Sequence, residues 1–240
     1  MEKKIILIIP AFNEESNILH TYQSIEEYNR KHGTNYDVIV INDGSVDKTR
    51  KILVRNNIPH ISLIRNLGIG GAVQTGYKYA LDHKYDIAVQ FDGDGQHDIS
   101  GVQKITAPIL SGEADFCIGS RFIQNINDNF RTTASRRMGI RIISSFIRFV
   151  TGVKVYDTTS GFRAVNRKVM KEFSYKYPIE YPEPITTTEM LKKGYRVKEV
   201  PVLMHERQGG TSSIASWKNI YYMVNVLLTI LIMKLRRYEG

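Results

Sequence analysis

The chain alternates short apolar runs with longer stretches that carry an apolar stripe. Residues 5–9 are continuously apolar, the pattern of a strand buried on both faces. The run stops at Pro10. Asn13 and Glu14 then open a helix to about Arg30, with Ile18, Leu19, Tyr22 and Ile25 on its inner side. A second strand is predicted over 37–41, ending in Asn42, Asp43, Gly44 and Ser45, and Asp47 caps a helix to about Asn56. A third strand over 61–64 leads through Gly68, Gly70 and Gly71 into a helix over 72–81. A fourth starts at Ile87 and runs into Asp92, Gly93, Asp94 and Gly95. Strand–helix units in this succession predict an α/β fold with a mostly parallel sheet flanked by helices.

Ligands bind at the carboxyl ends of such strands. Asp43, the glycine turn and the pair Asp92 and Asp94 all fall on those ends. Residues two apart in an extended chain face one side, so both carboxylates can address one point. Hard oxygen donors with no thiolate beside them suit Mg²⁺ or Mn²⁺. The glycine turn lacks the third glycine of a dinucleotide fingerprint and the Lys-Ser/Thr of a P-loop, which sets both of those readings aside.

Four ordered stretches then carry a resemblance: Pro10-Ala11-Phe12-Asn13-Glu14-Glu15, Asn42-Asp43-Gly44-Ser45, Asn66-Leu67-Gly68-Ile69-Gly70-Gly71 and Asp92-Gly93-Asp94-Gly95-Gln96-His97. Together they resemble the donor half of a family 2 glycosyltransferase of the GT-A (Rossmann-like) fold, in the branch of dolichol-phosphate mannose synthase and its polyprenyl-phosphate relatives. The resemblance implies that Pro10, Ala11, Asn13, Glu14, Asn66, Gly68 and Gly93 line the nucleotide pocket and that Asp43 holds the base or ribose. It further implies that Asp92, Asp94 and Gln96 serve a divalent cation, Mg²⁺ or Mn²⁺. Many relatives have two acidic residues where this chain has Asn42 and Asp43, so only Asp43 can supply the acidic contact. Gln96 and His97 read otherwise as a solvated turn.

The rest of the chain reads as the acceptor half. A helix over 100–110 and a buried strand over 114–119 lead to Ser120 and Arg121, similar to the family's Ser-Arg motif. Arg121 is a candidate catalytic and phosphate-binding residue. Residues 135–150 form a basic amphipathic helix in which Arg136, Arg137, Arg141 and Arg148 alternate with apolar positions. Such a helix suits a membrane surface or a lipid phosphate, with Arg136 a phosphate candidate. Residues 157–164 resemble a family stretch that borders the acceptor. Glu180 and Glu183 are the candidate carboxylates, and Glu183, boxed by two prolines, is favoured. It is a general base if the acceptor is a sugar hydroxyl, and a positioning group if the acceptor is already an anionic lipid phosphate. A last strand is predicted over 196–204. The loop after it holds His205, read as a satisfied loop histidine, and Arg207, a further phosphate candidate.

Residues 220–233 are almost wholly apolar, followed by Lys234, Arg236 and Arg237. As a helix they would reach about 21 Å, short of a ~30 Å hydrocarbon core. This predicts a segment that lies on a membrane or meets another subunit in a homo-oligomer. The expected division is a GT-A domain over 1–213, donor half to about 119 and acceptor half beyond it, with a C-terminal helix over 214–240.

Bulk composition narrows the partners. The 240 residues give one domain with at most a small added lobe, and a single cysteine excludes an internal disulfide framework. The net charge of +9 points to phosphorylated substrates or anionic lipid. Nucleic acid is the weakest option because no recognition motif accompanies the charge. The amino terminus is too short and charged for a signal peptide, so the chain is expected in the cytoplasm, peripheral to the inner face of the cell membrane. The expected reaction is inverting, metal-dependent transfer of a hexose from a nucleoside diphosphate sugar, UDP-linked by resemblance, to a polyprenyl phosphate in cell-surface polysaccharide synthesis. Transfer to a sugar hydroxyl of a lipid-linked glycan is the alternative. A sugar-nucleotidyltransferase would carry a basic glycine-rich signature between Pro10 and Glu15, and none is there.

Overall fold

The computed structural model describes residues 3–93, 95, 97–123, 134–203 and 216–236, with backbone only at 134–136 and 216–220. Its elements run β1 (Ile5–Ala11), α1 (Ile18–His32), β2 (Tyr36–Asn42), α2 (Thr49–Arg55), β3 (His60–Ser62), α3 (Gly68–Asp82), β4 (Ile87–Gln90) and α4 (Ser100–Leu110). They continue with β5 (Phe116–Ser120), α5 (Ala134–Thr151), β6 (Arg163–Asn166), α6 (Arg167–Tyr175), α7 (Pro182–Lys192), β7 (Val197–Pro201) and α8 (Ser216–Leu235).

The strands form one sheet in the order β3-β2-β1-β4-β6-β5-β7. Pairings are parallel except at β6, which runs antiparallel to both β4 and β5. The expected mostly parallel α/β sheet is therefore present. Because β1 lies between β2 and β4, the order reverses there, and in open α/β sheets the loops beyond the carboxyl ends of strands at such a switch point are where ligands bind.

Alternation along the strands divides the core. Leu7, Ile9, Val38, Val40 and Val89 face one layer with Ile18 and Ile25 of α1 and Val102 and Ile105 of α4. Ile6, Ile8, Ile39 and Ala88 face the other, with Val73 and Tyr77 of α3, Ile143 and Ile147 of α5, Met170 and Phe173 of α6, and Val226 and Ile230 of α8.

Several bounds differ from the sequence expectation. The glycine turn is the first turn of α3, which starts at Gly68 rather than 72. β6 and α6 have no counterpart among the elements the sequence predicts, and α7 starts at Pro182, so Glu183 sits in its first turn. Asp47 stands one residue ahead of the cap position of α2, although its Oδ1 still accepts from the Thr49 N–H at 2.9 Å. α8 is longer than the apolar run alone. Among the described residues no helix is long and apolar enough to cross a membrane.

Candidate active site

The loops after β1 and β2 interlock. Asn13 adopts φ 57°, its N–H donates to Ser45 Oγ at 3.0 Å, and its Oδ1 accepts from the Val46 N–H at 2.9 Å. The Glu14 N–H donates to Thr49 Oγ1 at 2.9 Å. Asn13 is thus held in the left-handed region by two bonds, a common way to shape a binding loop. Asp43 is buried, and its Oδ1 accepts from the Leu67 N–H at 2.7 Å. Burial pushes its carboxyl pKa above the ordinary value, even though the Leu67 and Gly68 N–H groups favour the anion. Asp43 therefore pins the start of α3 to the end of β2. Asn42, where many relatives are acidic, donates to Ser62 Oγ at 3.0 Å and accepts from the Ser45 N–H. Asn66 is exposed and accepts from the Gly68 N–H at 3.0 Å, and Pro10 and Ala11 close the same edge from β1.

Asp92 follows β4. His97 is buried here, not part of a solvated turn: its ring stacks on Phe162 at 4.6 Å and meets Phe91 edge-on. His97 Nδ1 accepts from the Asp92 N–H at 2.9 Å, so the proton sits on Nε2, which lies 3.4 Å from Asp92 Oδ2. One imidazole thereby fixes both the backbone and the carboxylate of Asp92. The Gly93 carbonyl accepts from Thr21 Oγ1 at 3.1 Å, which anchors the turn to α1.

Asp94 and Gln96 lie outside the described residues, as do Arg207, His205 and the Arg136 side chain. Among the described residues no three His, Cys, Asp or Glu side chains gather as a metal cage. The Asp92 carboxylate, 31% exposed at the strand end, is one hard oxygen donor, and it fits a cation whose other ligands are phosphate oxygens and water.

Residues of β5, β6 and α7 close on this point from the other side. Arg121 presents its fork to Asp157, with Nε to Oδ2 and Nη2 to Oδ1 both 2.7 Å, and Nη2 also reaches Thr159 Oγ1 at 3.0 Å. Burial opposes the Arg121 charge, but Asp157, Asp92 and Glu183 together hold its pKa above the ordinary value. The pair is buried, so it is not the surface salt bridge that would be the ordinary alternative. Its bidentate face is committed to Asp157, which fixes the 157–162 loop. That loop runs against Asp92: a β-carbon on Gly161 would lie 3.0 Å from Asp92 Oδ2.

Arg163, at the start of β6, is fully buried. Its Nε donates to the Ser160 carbonyl at 2.6 Å and its Nη1 to Thr186 Oγ1 on α7 at 2.9 Å. Glu183 stands in the first turn of α7, whereas Glu180 is exposed ahead of the helix. Burial raises the Glu183 pKa, Arg163 and Arg121 act to lower it, and Asp92 to raise it. Glu183, Arg121 and Asp92 therefore share one electrostatic neighbourhood. Arg163, Gln90 and Tyr177 behind them were not singled out by the sequence; Tyr177 Oη donates to Gln90 Oε1 at 3.4 Å. The available signal was Arg163 within the 157–164 stretch, but nothing there marked it as buried.

Comparison with known proteins agrees with this fold. The model of "Glycosyl transferase family 2" matches residues 6–174. A UDP-N-acetylglucosamine–dolichyl-phosphate N-acetylglucosaminyltransferase of Methanococcus voltae is 29% identical, covering 93% of this chain and 96% of that protein. Polyprenol monophosphomannose synthase of Mycolicibacterium smegmatis is 25% identical over 89% of this chain and 82% of its own length. Among solved structures, glucosyl-3-phosphoglycerate synthase of Mycobacterium tuberculosis, in complex with Mn²⁺, UDP and phosphoglyceric acid, superposes with a TM-score of 0.70 at 18% identity. That match covers 99% of this chain and 80% of the other. With a GT-A fold and a family match over residues 6–174, most of its length, the chain belongs to glycosyl transferase family 2.

Proposed function

We propose that this enzyme transfers a sugar from a nucleoside diphosphate sugar, a UDP-hexose by our reading, to a polyprenyl phosphate at a membrane surface, with inversion at the anomeric carbon. The observation that carries the reading is the meeting of two loop sets at one sheet edge. Asp43 and the Asn13 loop form a nucleotide-sized side, and Asp92, Arg121 and Glu183 converge on the other. Two relatives named for dolichyl-phosphate and polyprenol chemistry support the acceptor class.

In this mechanism Asn13, Glu14 and Asp43 orient the nucleoside, with Asn66 and Gly68 along the same pocket. Asp92, with Asp94 and Gln96, would hold Mg²⁺ or Mn²⁺, which when bound offsets the charge on the leaving diphosphate. His97 keeps the Asp92 carboxylate directed at that point. The Arg121–Asp157 pair holds the 157–162 loop over the acceptor side, and Arg136 and Arg207 are the cations proposed for phosphate. A lipid phosphate is already an anion and attacks without losing a proton, so Glu183 then positions it. The raised pKa of Glu183 favours a second reading in which it takes a proton from a sugar hydroxyl.

The test is incubation of the protein with Mg²⁺ or Mn²⁺, radiolabelled UDP- and GDP-sugars and undecaprenyl phosphate, followed by organic extraction. Label in the organic phase with one donor, lost in Asp94→Ala and in Asp92→Asn, is the expected result. Binding of nucleotide without any extractable label moves the acceptor to a glycan hydroxyl.

A further inference from the structure

Glu183 owes its position to the way α7 begins. Tyr181, the residue before Pro182, adopts φ 52° and ψ 49°, a left-handed conformation that costs a non-glycine residue free energy. The segment that delivers it, residues 176–181, is clamped from two sides. On the nucleotide side it runs against the first turn of α3: a β-carbon on Gly70 would lie 2.0 Å from the Pro178 carbonyl oxygen and 2.6 Å from Ile179 Cα. On the other side the Tyr181 ring meets Tyr222 of α8 in a T-shaped contact, centroids 4.5 Å apart at 68°. A costly backbone conformation persists where surrounding packing over-determines it, and it is most often kept where function needs the geometry.

We propose that Tyr181 and Tyr222 are positioning residues for Glu183. The ring contact with α8 holds residue 181 left-handed, that conformation sets the direction in which α7 starts, and the start of α7 places the carboxylate. α8 is thereby part of the acceptor site's geometry, and not only a cover for the core. The inference rests on the reading that Glu183 serves the acceptor.

The experiment separates stability from placement. Tyr181→Gly removes the ring but suits a left-handed backbone, so relief of the strain offsets part of the lost ring packing, and the protein should stay folded with a cooperative melt above the assay temperature. Its turnover should fall about tenfold or more, while the KM for the donor stays unchanged. Tyr222→Ala should lose turnover to a similar extent, and Tyr222→Phe, which keeps the ring, should restore it. Tyr181→Gly combined with Glu183→Gln should be no slower than Glu183→Gln alone. Wild-type turnover in Tyr181→Gly while Glu183→Gln is impaired overturns the proposal and leaves the role of Glu183 standing. Wild-type turnover in Glu183→Gln removes that role and the proposal with it. Equal losses in Tyr222→Phe and Tyr222→Ala assign the effect to the hydroxyl and overturn the ring clamp.

Discussion

Arg163 is a charged side chain with none of its surface exposed, and it is held by a carbonyl, a hydroxyl and the face of Phe116 at 5.4 Å. A guanidinium in such a place needs acceptors for its donors, and two of its three nitrogens have them, while Nη2 has no partner among the described residues. Thr186 serves Nη1 while donating its own proton to the Pro182 carbonyl at 2.6 Å, so one hydroxyl ties β6 to the first turn of α7. Thr186→Val keeps the shape and removes the acceptor. It should lower the unfolding free energy by about 1–3 kcal/mol, the cost of an unsatisfied buried donor. Urea unfolding checks this, and an unchanged midpoint would mean that Arg163 is held elsewhere. The places of Asp43 and Asp92 just after β2 and β4 were legible in the sequence because each follows an apolar run. Arg163 was not, because a lone arginine reads as exposed until its acceptors, one of them 23 residues away, are brought to it by the fold.

Among the elements, the long and periodic ones were legible, and α4 at Ser100–Leu110 matches the pattern in the sequence to the residue. β6 was not. It is four residues long, runs against its neighbours and gives way at once to α6, so it offers neither alternation nor a turn signal. Its place between β4 and β5 is secured by Asp115, just ahead of β5. Asp115 accepts from Arg196 Nε and backbone N–H at 3.0 Å, from Arg196 Nη2 at 2.9 Å and from Asn166 Nδ2 at 2.8 Å, joining the edges of β5, β6 and β7. The bonds from Arg196 and Asn166 outweigh burial and draw the Asp115 pKa down to about 2, from 3.8. A depressed carboxylate pKa adds stability above its unfolded value and loses it as pH falls through the folded one. Asp115→Asn should therefore cost about 1–2 kcal/mol near neutral pH, a figure reduced for the exposure of Arg196. The gap from wild type should close between about pH 4 and pH 2. Unfolding curves of both proteins across that range provide the check, and a gap independent of pH would point to packing rather than charge.

At the scale of the molecule, α8 has two faces. Val226, Ile230 and Met233 are buried, while Tyr221, Val224, Leu228, Leu231 and Leu235 remain exposed along one side. Met138, Ile142 and Phe149 of α5 extend that surface, and Lys234 lies over the Phe149 ring at 3.6 Å, linking the two helices. Exposed Arg137, Arg141 and Arg148 stand on α5 beside it. An apolar surface carrying cations is the composition of a helix pair that lies in a lipid interface, where apolar burial and attraction to anionic headgroups add. This fits the proposed lipid-anchored acceptor, and it gives the +9 net charge a use. Leu228→Glu together with Leu231→Glu alters two exposed positions and should leave the fold intact. Each leucine buried in the interface contributes about 1.5–3 kcal/mol, so the pair should lower binding to anionic vesicles about a hundredfold or more. Co-sedimentation with phosphatidylglycerol vesicles measures it, with wild type in high salt as the second arm, because screening removes only the basic contribution. Undiminished sedimentation of the double variant would take the surface away from the membrane. A change in its oligomeric state instead, without a change in vesicle binding, would give that surface to a second subunit.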